Sequence, residues 1–222
     1  QQDRLLHAMG DAYPDVARIR LLQRLAGRCP PGLEAMILGL SGADAVDAAV
    51  KTAVVATGRT GVVSFRASYH GLSLGAVPLQ GYKPAFAEPF RAITHPDVRF
   101  LDWGCSLATL DQALADGDVG MVLAEPIQGR GGIRPPPPGW LAGVAERARA
   151  AGALVAFDEI QTGLGRTGDW FAGTAEGVTR GPAAEALAAD LTVEETLLSE
   201  SVVRYQSFSA RRGRLLSRLA EL

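Results

Sequence analysis

An α/β fold, with a mainly parallel sheet flanked by helices, is the class this sequence predicts, and three observations predict it. Short apolar runs at 36–40, 61–65, 120–124 and 153–157 alternate with helix-forming stretches, the pattern of strands joined by crossover helices. Turns rich in small residues follow several of these runs, at Ser41-Gly42-Ala43, Ser68-Tyr69-His70-Gly71 and after Asp158. The 222 residues are 47% hydrophobic, with 22 basic against 24 acidic side chains, which suits one sizeable buried core. Right-handed crossovers then gather functional groups at the carboxyl ends of the strands.

In chain order, Val16, Ile19, Leu22 and Leu25 give the apolar face of a helix closed by the Cys-Pro-Pro-Gly sequence at 29–32. Met36 to Leu40 reads as a strand, and AVDAAVKTAVVATG as a helix stopping at Gly58. Gly61 to Phe65 is the next strand. Residues 72–105 read as loop-rich, because Pro78, Pro84, Pro89 and Pro96 interrupt any long element. A short helix over 107–114 precedes the strand Gly120 to Ala124. In GRGGIRPPPPGW four consecutive prolines fix an extended backbone without donors, so an ordered surface loop is expected. Helix 139–151 and strand 153–157 complete a further unit. Residues 181–222 read as almost wholly helix-forming, with no strand evident, and predict a helical hairpin packed on the sheet domain beyond a junction near residue 179.

A net charge of −2 offers no footprint for nucleic acid or anionic membranes. Cys29 and Cys105 form neither a metal-ligand spacing nor a disulfide framework, which fits a reducing cytoplasmic setting. No run approaches a membrane span, and QQDRLLHAMGD is too polar for a signal peptide.

Chemistry-bearing candidates sit at the strand ends. Ser41-Gly42-Ala43 at a helix start offers free N–H groups and the positive dipole end to a phosphate, or else Ser41 and Asp44 simply cap the helix. Tyr69 can present a flat face to a planar ligand or join the core, and His70 can be structural or catalytic. Asp158 follows Leu154, Val155, Ala156 and Phe157, so its carboxylate needs a cation or several donors, either from a ligand or from a side chain such as Arg166. Glu125 and Glu159 are further acids, but nothing in their spacing sets two carboxylates across a glycosidic bond.

Together SGADAVDAAVKTA, SYHG, EPIQGRGGIRPPPPGW and DEIQTGLGRTGDWFA resemble, in order and spacing, the class III aminotransferases, the ornithine and 4-aminobutyrate aminotransferase relatives of pyridoxal-phosphate fold type I. The resemblance runs from about residue 5 to residue 178 and implies a partial cofactor-binding large domain over 1–178, with 179–222 a helical segment. It implies pyridoxal 5'-phosphate as cofactor, an amino donor and a 2-oxo acid or aldehyde as substrates, and a homodimer. By resemblance Ser41, Gly42 and Ala43 hold the cofactor phosphate, Tyr69 stacks on the ring with His70 beside it, and Glu125 lies on the substrate side. Asp158 pairs with the ring nitrogen, Ile160 packs on the opposite ring face, and Gln161 lies near the ring hydroxyl. A protonated ring nitrogen makes the ring an electron sink, which gives Asp158 its chemistry.

One departure accompanies the match. Family members hold the cofactor through a lysine about thirty residues beyond the aspartate, a residue that also moves the substrate proton. Here Lys51 and Lys83 are the only lysines, and EGVT passes directly into RGPAAEALAADL. The sequence is expected to lack the lysine-bearing block and terminal segments of the family. Three readings stay open: an aminotransferase supplied without those segments, a lysine-less binding or partner subunit, and a noncovalent pyridoxamine-phosphate enzyme with His70 as base.

Overall fold

The computed structural model describes residues 16–30, 33, 35–94, 97–175, 191–195 and 201–205. Helix α1 (Val16–Ala26) leads to strand β1 (Ala35–Gly39), helix α2 (Gly42–Thr57) and strand β2 (Gly61–Phe65). A connection holding a 3-10 turn (Val77–Leu79), the short α3 (Pro84–Ala87) and a second 3-10 turn (Glu88–Ile93) reaches β3 (Val98–Leu101). Next come α4 (Leu107–Leu114), β4 (Val119–Ala124), α5 (Trp140–Ala150), β5 (Leu154–Asp158), α6 (Ala172–Ala175), β6 (Leu191–Glu195) and β7 (Ser201–Tyr205).

The strands form one seven-stranded sheet in the order β1-β7-β6-β5-β4-β2-β3. Strand β7 runs antiparallel to both β1 and β6, and the pairings from β6 through β5, β4 and β2 to β3 are parallel. Central strands in such a sheet are covered on both faces, which is why their sequences are apolar throughout rather than alternating. Within β4, Met121 and Leu123 point to the α2 side, while Val122 and Ala124 point to the α4 and α5 side.

Helix α2 packs through Ala45, Val46, Ala49, Val50, Ala53 and Ala56, whose small volumes let the helix lie close on β4 and β5. Ser41 caps its start, its Oγ accepting from Asp44 N at 3.2 Å. Gly58 ends it at φ 71°, a left-handed conformation glycine takes without strain, with its N–H on Val54 O at 2.8 Å. On the opposite face Leu110, Leu141, Val144, Ala145 and Ala148 cover Val63, Val155 and Phe157. Phe65, Trp103 and Trp140 meet edge to face there, with centroids 4.7 to 5.5 Å apart.

Within the loop-rich 72–105 the structure adds one strand among the described residues, Val98–Leu101, which pairs in parallel with β2 and forms the sheet edge. The reading of 181–222 as almost wholly helical, with no strand, is corrected at Leu191–Glu195 and Ser201–Tyr205, which are strands; Asp158 stands opposite Val193 and Ile37 opposite Val203. The rest of that helical segment lies outside the described residues, as does the N-terminal stretch before Val16.

Candidate functional site

The carboxyl ends of β1, β2, β4 and β5 converge, and each delivers one of the motifs. After β2 the chain goes to β3 on one side while β4 lies on the other, a switch point of the kind at which such sheets place their ligands. Tyr69, beyond β2, donates its backbone N–H to Glu125 Oε2, beyond β4, at 3.1 Å. Gly129 N donates to the other carboxylate oxygen at 3.2 Å, so Glu125 ties two loops together.

Asp158 is 4% exposed at the end of β5. One of its oxygens meets His70 Nδ1 at 2.7 Å, and the other accepts from Ile160 N at 3.2 Å. Among the described residues the side chain that meets Asp158 is therefore His70, not Arg166. An ionised Asp158 fixes Nδ1 as the donor, which leaves His70 Nε2 buried without a partner among the described residues.

Glycines show how closely the motifs approach. A side chain at Gly42 would run into Ile160, and one at Gly129 into the Gln161 amide. Gly71 takes φ 114° and lies against Ala43, where an added Cβ would collide. The small-residue turn at 41–43, the Tyr69-His70-Gly71 loop and the Asp158-to-Gln161 segment thus form one cluster. Ala67, just before them, is a non-glycine residue at φ 67°, a strained conformation at the entrance of the loop.

Burial raises the Glu125 carboxyl from its ordinary value of 4.5 to about 7; the His70 charge lowers it, Asp158 raises it, and the Gly129 and Tyr69 amides lower it. Glu159 is also pushed up, chiefly by burial. Its contacts are structural: Thr162 Oγ1 at 2.6 Å, Ala172 N at 3.1 Å and Gly173 N at 2.8 Å. That clamp, which closes the 159–173 loop, was not legible, since its donors lie 13 and 14 residues away. The Arg130 guanidinium lies 4.1 Å from the centroid of the half-buried Tyr69 ring, a second contact that spacing does not reveal. Gln161 is exposed.

The residues present fit a phosphorylated pyridine. Asp158 uses two of its four acceptor positions and keeps room for an N–H. At the helix start, Ser41 Oγ takes Asp44 N and Ser41 O takes Ala45 N, leaving the Gly42 and Ala43 amides without partners among the described residues. Ser41 caps α2, as one reading of this turn expects, and two amides stay available to an anion. Asp44, whose Oδ2 accepts from Leu40 N at 2.9 Å, opposes an anion there. Neither lysine joins the cluster: Lys51 is exposed on α2, and the Lys83 ammonium sits over Tyr82.

A doubly covered, mainly parallel sheet with a buried acid and a helix-start turn at its strand ends defines the class of pyridoxal-phosphate fold type I proteins. The family described as "Aminotransferase class-III" matches residues 1–203, and the chain belongs to it. It is 37% identical over 171 residues to an acetylornithine aminotransferase of Methanosarcina acetivorans, covering 77% of this chain and 42% of that protein. It is 39% identical over 168 residues to a [LysW]-aminoadipate semialdehyde transaminase of Deinococcus radiodurans, covering 75% and 38%. Among solved structures, an (S)-enantioselective omega-transaminase from Thermomicrobium roseum superposes with a TM-score of 0.82 at 24% identity, over 98% of this chain and 52% of that one, and bears on the fold. The chain thus spans less than half the length of these curated relatives.

Proposed function

We propose that the protein containing this chain is a pyridoxal-phosphate-dependent aminotransferase, moving an amino group from an amino donor to a 2-oxo acid or aldehyde. One observation carries the reading: a buried carboxylate, Asp158, held by His70 and the Ile160 amide next to a helix-start turn with free donors. Family membership supports it. The cofactor, when bound, supplies an electron sink for the carbanion at the substrate α-carbon.

The protein's own groups have distinct tasks. His70 Nδ1 fixes the Asp158 carboxylate, which would hold the ring nitrogen of the cofactor. The Gly42 and Ala43 amides, at the positive end of α2, would hold the phosphate. Tyr69 and Ile160 would hold the ring, and Gln161 its hydroxyl. Glu125, held by two backbone amides, stands on the substrate side, poised to gain or lose a proton near neutrality.

A homodimer in the cytoplasm is the accompanying proposal. Exposed Leu40, Leu72, Leu74, Ile93 and Ile133 supply apolar surface for a second copy. Cys29 and Cys105 form no disulfide, in keeping with a reducing compartment. No helix among the described residues is long and apolar enough to cross a membrane.

The test is an intact mass of the protein with its absorbance spectrum after incubation with pyridoxal phosphate, before and after borohydride reduction. A visible-absorbing complex whose reduced form carries the cofactor mass on a lysine supports the enzyme reading. Absence of any complex, with a stable assembly to another protein, contradicts it in favour of a partner subunit.

A further inference from the structure

The loop after β4 carries a guanidinium that no described residue neutralises. Arg130 holds it 4.1 Å from the centroid of the Tyr69 ring, and among the described residues it meets no acid and no hydrogen-bond acceptor. A guanidinium laid on an aromatic face uses its flat side there and keeps the N–H groups around its rim for another partner. Glu125, earlier in the same loop, is not that partner, since it turns its two oxygens to the Tyr69 and Gly129 amides. Arg134 is engaged differently, donating to Gln128 Oε1 at 3.3 Å.

The loop is built to keep Arg130 in place. Gln128 and Arg134 exchange backbone hydrogen bonds of 3.0 and 2.9 Å across its neck, and the fully buried Gln128 donates from Nε2 to Arg66 O at 2.9 Å. Gly131 lies against Ala67 O, where a Cβ does not fit. Ile133, exposed at the surface, is held at φ 52°, a costly conformation for a β-branched residue, with its N–H on Gly129 O at 3.1 Å. Strain of this kind persists where the surroundings over-determine it, and it gathers at ligand sites.

Position decides which ligand the guanidinium serves. Gly129 lies against the Gln161 amide and Arg130 against the Tyr69 ring, so this loop spans two residues of the cofactor cluster. The 41–43 turn, where the phosphate is assigned, packs instead on Ile160 and Gly71. Arg130 therefore shares the substrate side with Glu125, and an anion beside it belongs to the substrate rather than to the phosphate.

We propose that Arg130 holds a carboxylate of the substrate, so that the site prefers amino acids to plain amines and disfavours diamines, whose second ammonium it repels. The inference rests on the aminotransferase reading and deepens it. The guanidinium keeps its stack on Tyr69 while its rim N–H groups donate to the carboxylate oxygens.

Stable conjugates test this, in which a 5'-phosphopyridoxyl group is joined through a saturated C–N bond to alanine, 4-aminobutyrate or butylamine; none needs a lysine on the protein. Each is titrated into the 222-residue chain and followed by tryptophan quenching. The better of the two carboxylate conjugates is expected to bind about tenfold more tightly than the butylamine conjugate, and in Arg130→Ala the three are expected to converge on the butylamine value. Arg130 is exposed, so the fold tolerates the change. Arg130→Lys, which keeps the charge without the planar fork, retains part of the advantage. A larger gain for alanine places the carboxylate beside the reacting amine, and a larger gain for 4-aminobutyrate places it at a distance. Equal affinities in the wild type, or an advantage that survives in Arg130→Ala, overturn the proposal and leave the cofactor reading standing. A fall shared equally by all three conjugates in Arg130→Ala also overturns it, by assigning the residue to the phosphate or to the scaffold of the loop. Failure of every conjugate to bind the wild type overturns both the proposal and the reading beneath it.

Discussion

Glu125 and Ala67 are two residues held under tension. The Glu125 carboxyl is raised from 4.5 to about 7 in the fold, burial being the main cause. A raised acid weakens the fold when it ionises, so stability is undiminished below about pH 4.5, falls as pH rises toward 7 and is level above. The drop is at most roughly 3 kcal/mol. Glu159, shifted in the same direction, adds to it. Urea unfolding at pH 5 and pH 7.5 is expected to show that loss in the wild type and a smaller one in Glu125→Gln. Ala67 at φ 67° is strained, and Ala67→Gly relieves the conformation while adding freedom to the unfolded chain. A net gain of about 0.5 to 1 kcal/mol in unfolding free energy is expected.

At the scale of elements, close backbone approaches build the site. Gly42 at the first turn of α2 lies against Ile160 beyond β5, so Gly42→Ala must displace that side chain. A loss of about 1 to 3 kcal/mol is expected, partly recovered in a Gly42→Ala, Ile160→Val double variant. Thermal melts of the single and double variants check it. The elements around this junction were legible because their signals are local: Ser41 and Gly58 bracket α2, and β2, β4 and β5 are short apolar runs. Strand β3 escaped notice because it has four half-buried residues next to a proline-interrupted stretch. Strands β6 and β7 were hidden for another reason. Their neighbourhood is rich in alanine and glutamate, helix formers, while pairing with β5 and β1 decides the outcome. Local propensity loses there to non-local hydrogen bonding. The same holds for the site, where the motifs nominated Asp158 and His70 separately, but their 2.7 Å contact spans 88 positions in sequence and no spacing rule reaches it.

For the whole molecule, the sheet order fixes which loops meet, and therefore which chemistry is possible. The antiparallel β7 lets β1 run in the same direction as β5, bringing the 41–43 turn to the same end of the sheet as Asp158. The exposed apolar side chains of the described surface predict self-association: light scattering after size exclusion should give twice the 23.3 kDa chain mass. The central claim is that Asp158 is the counter-charge of a bound pyridine ring. Its most direct test is a titration of the wild-type chain and Asp158→Asn with pyridoxal phosphate, followed by quenching of tryptophan fluorescence. Saturable binding, weakened about tenfold to a hundredfold in Asp158→Asn with the fold intact, is the predicted result. Equal affinity in the two proteins would contradict it.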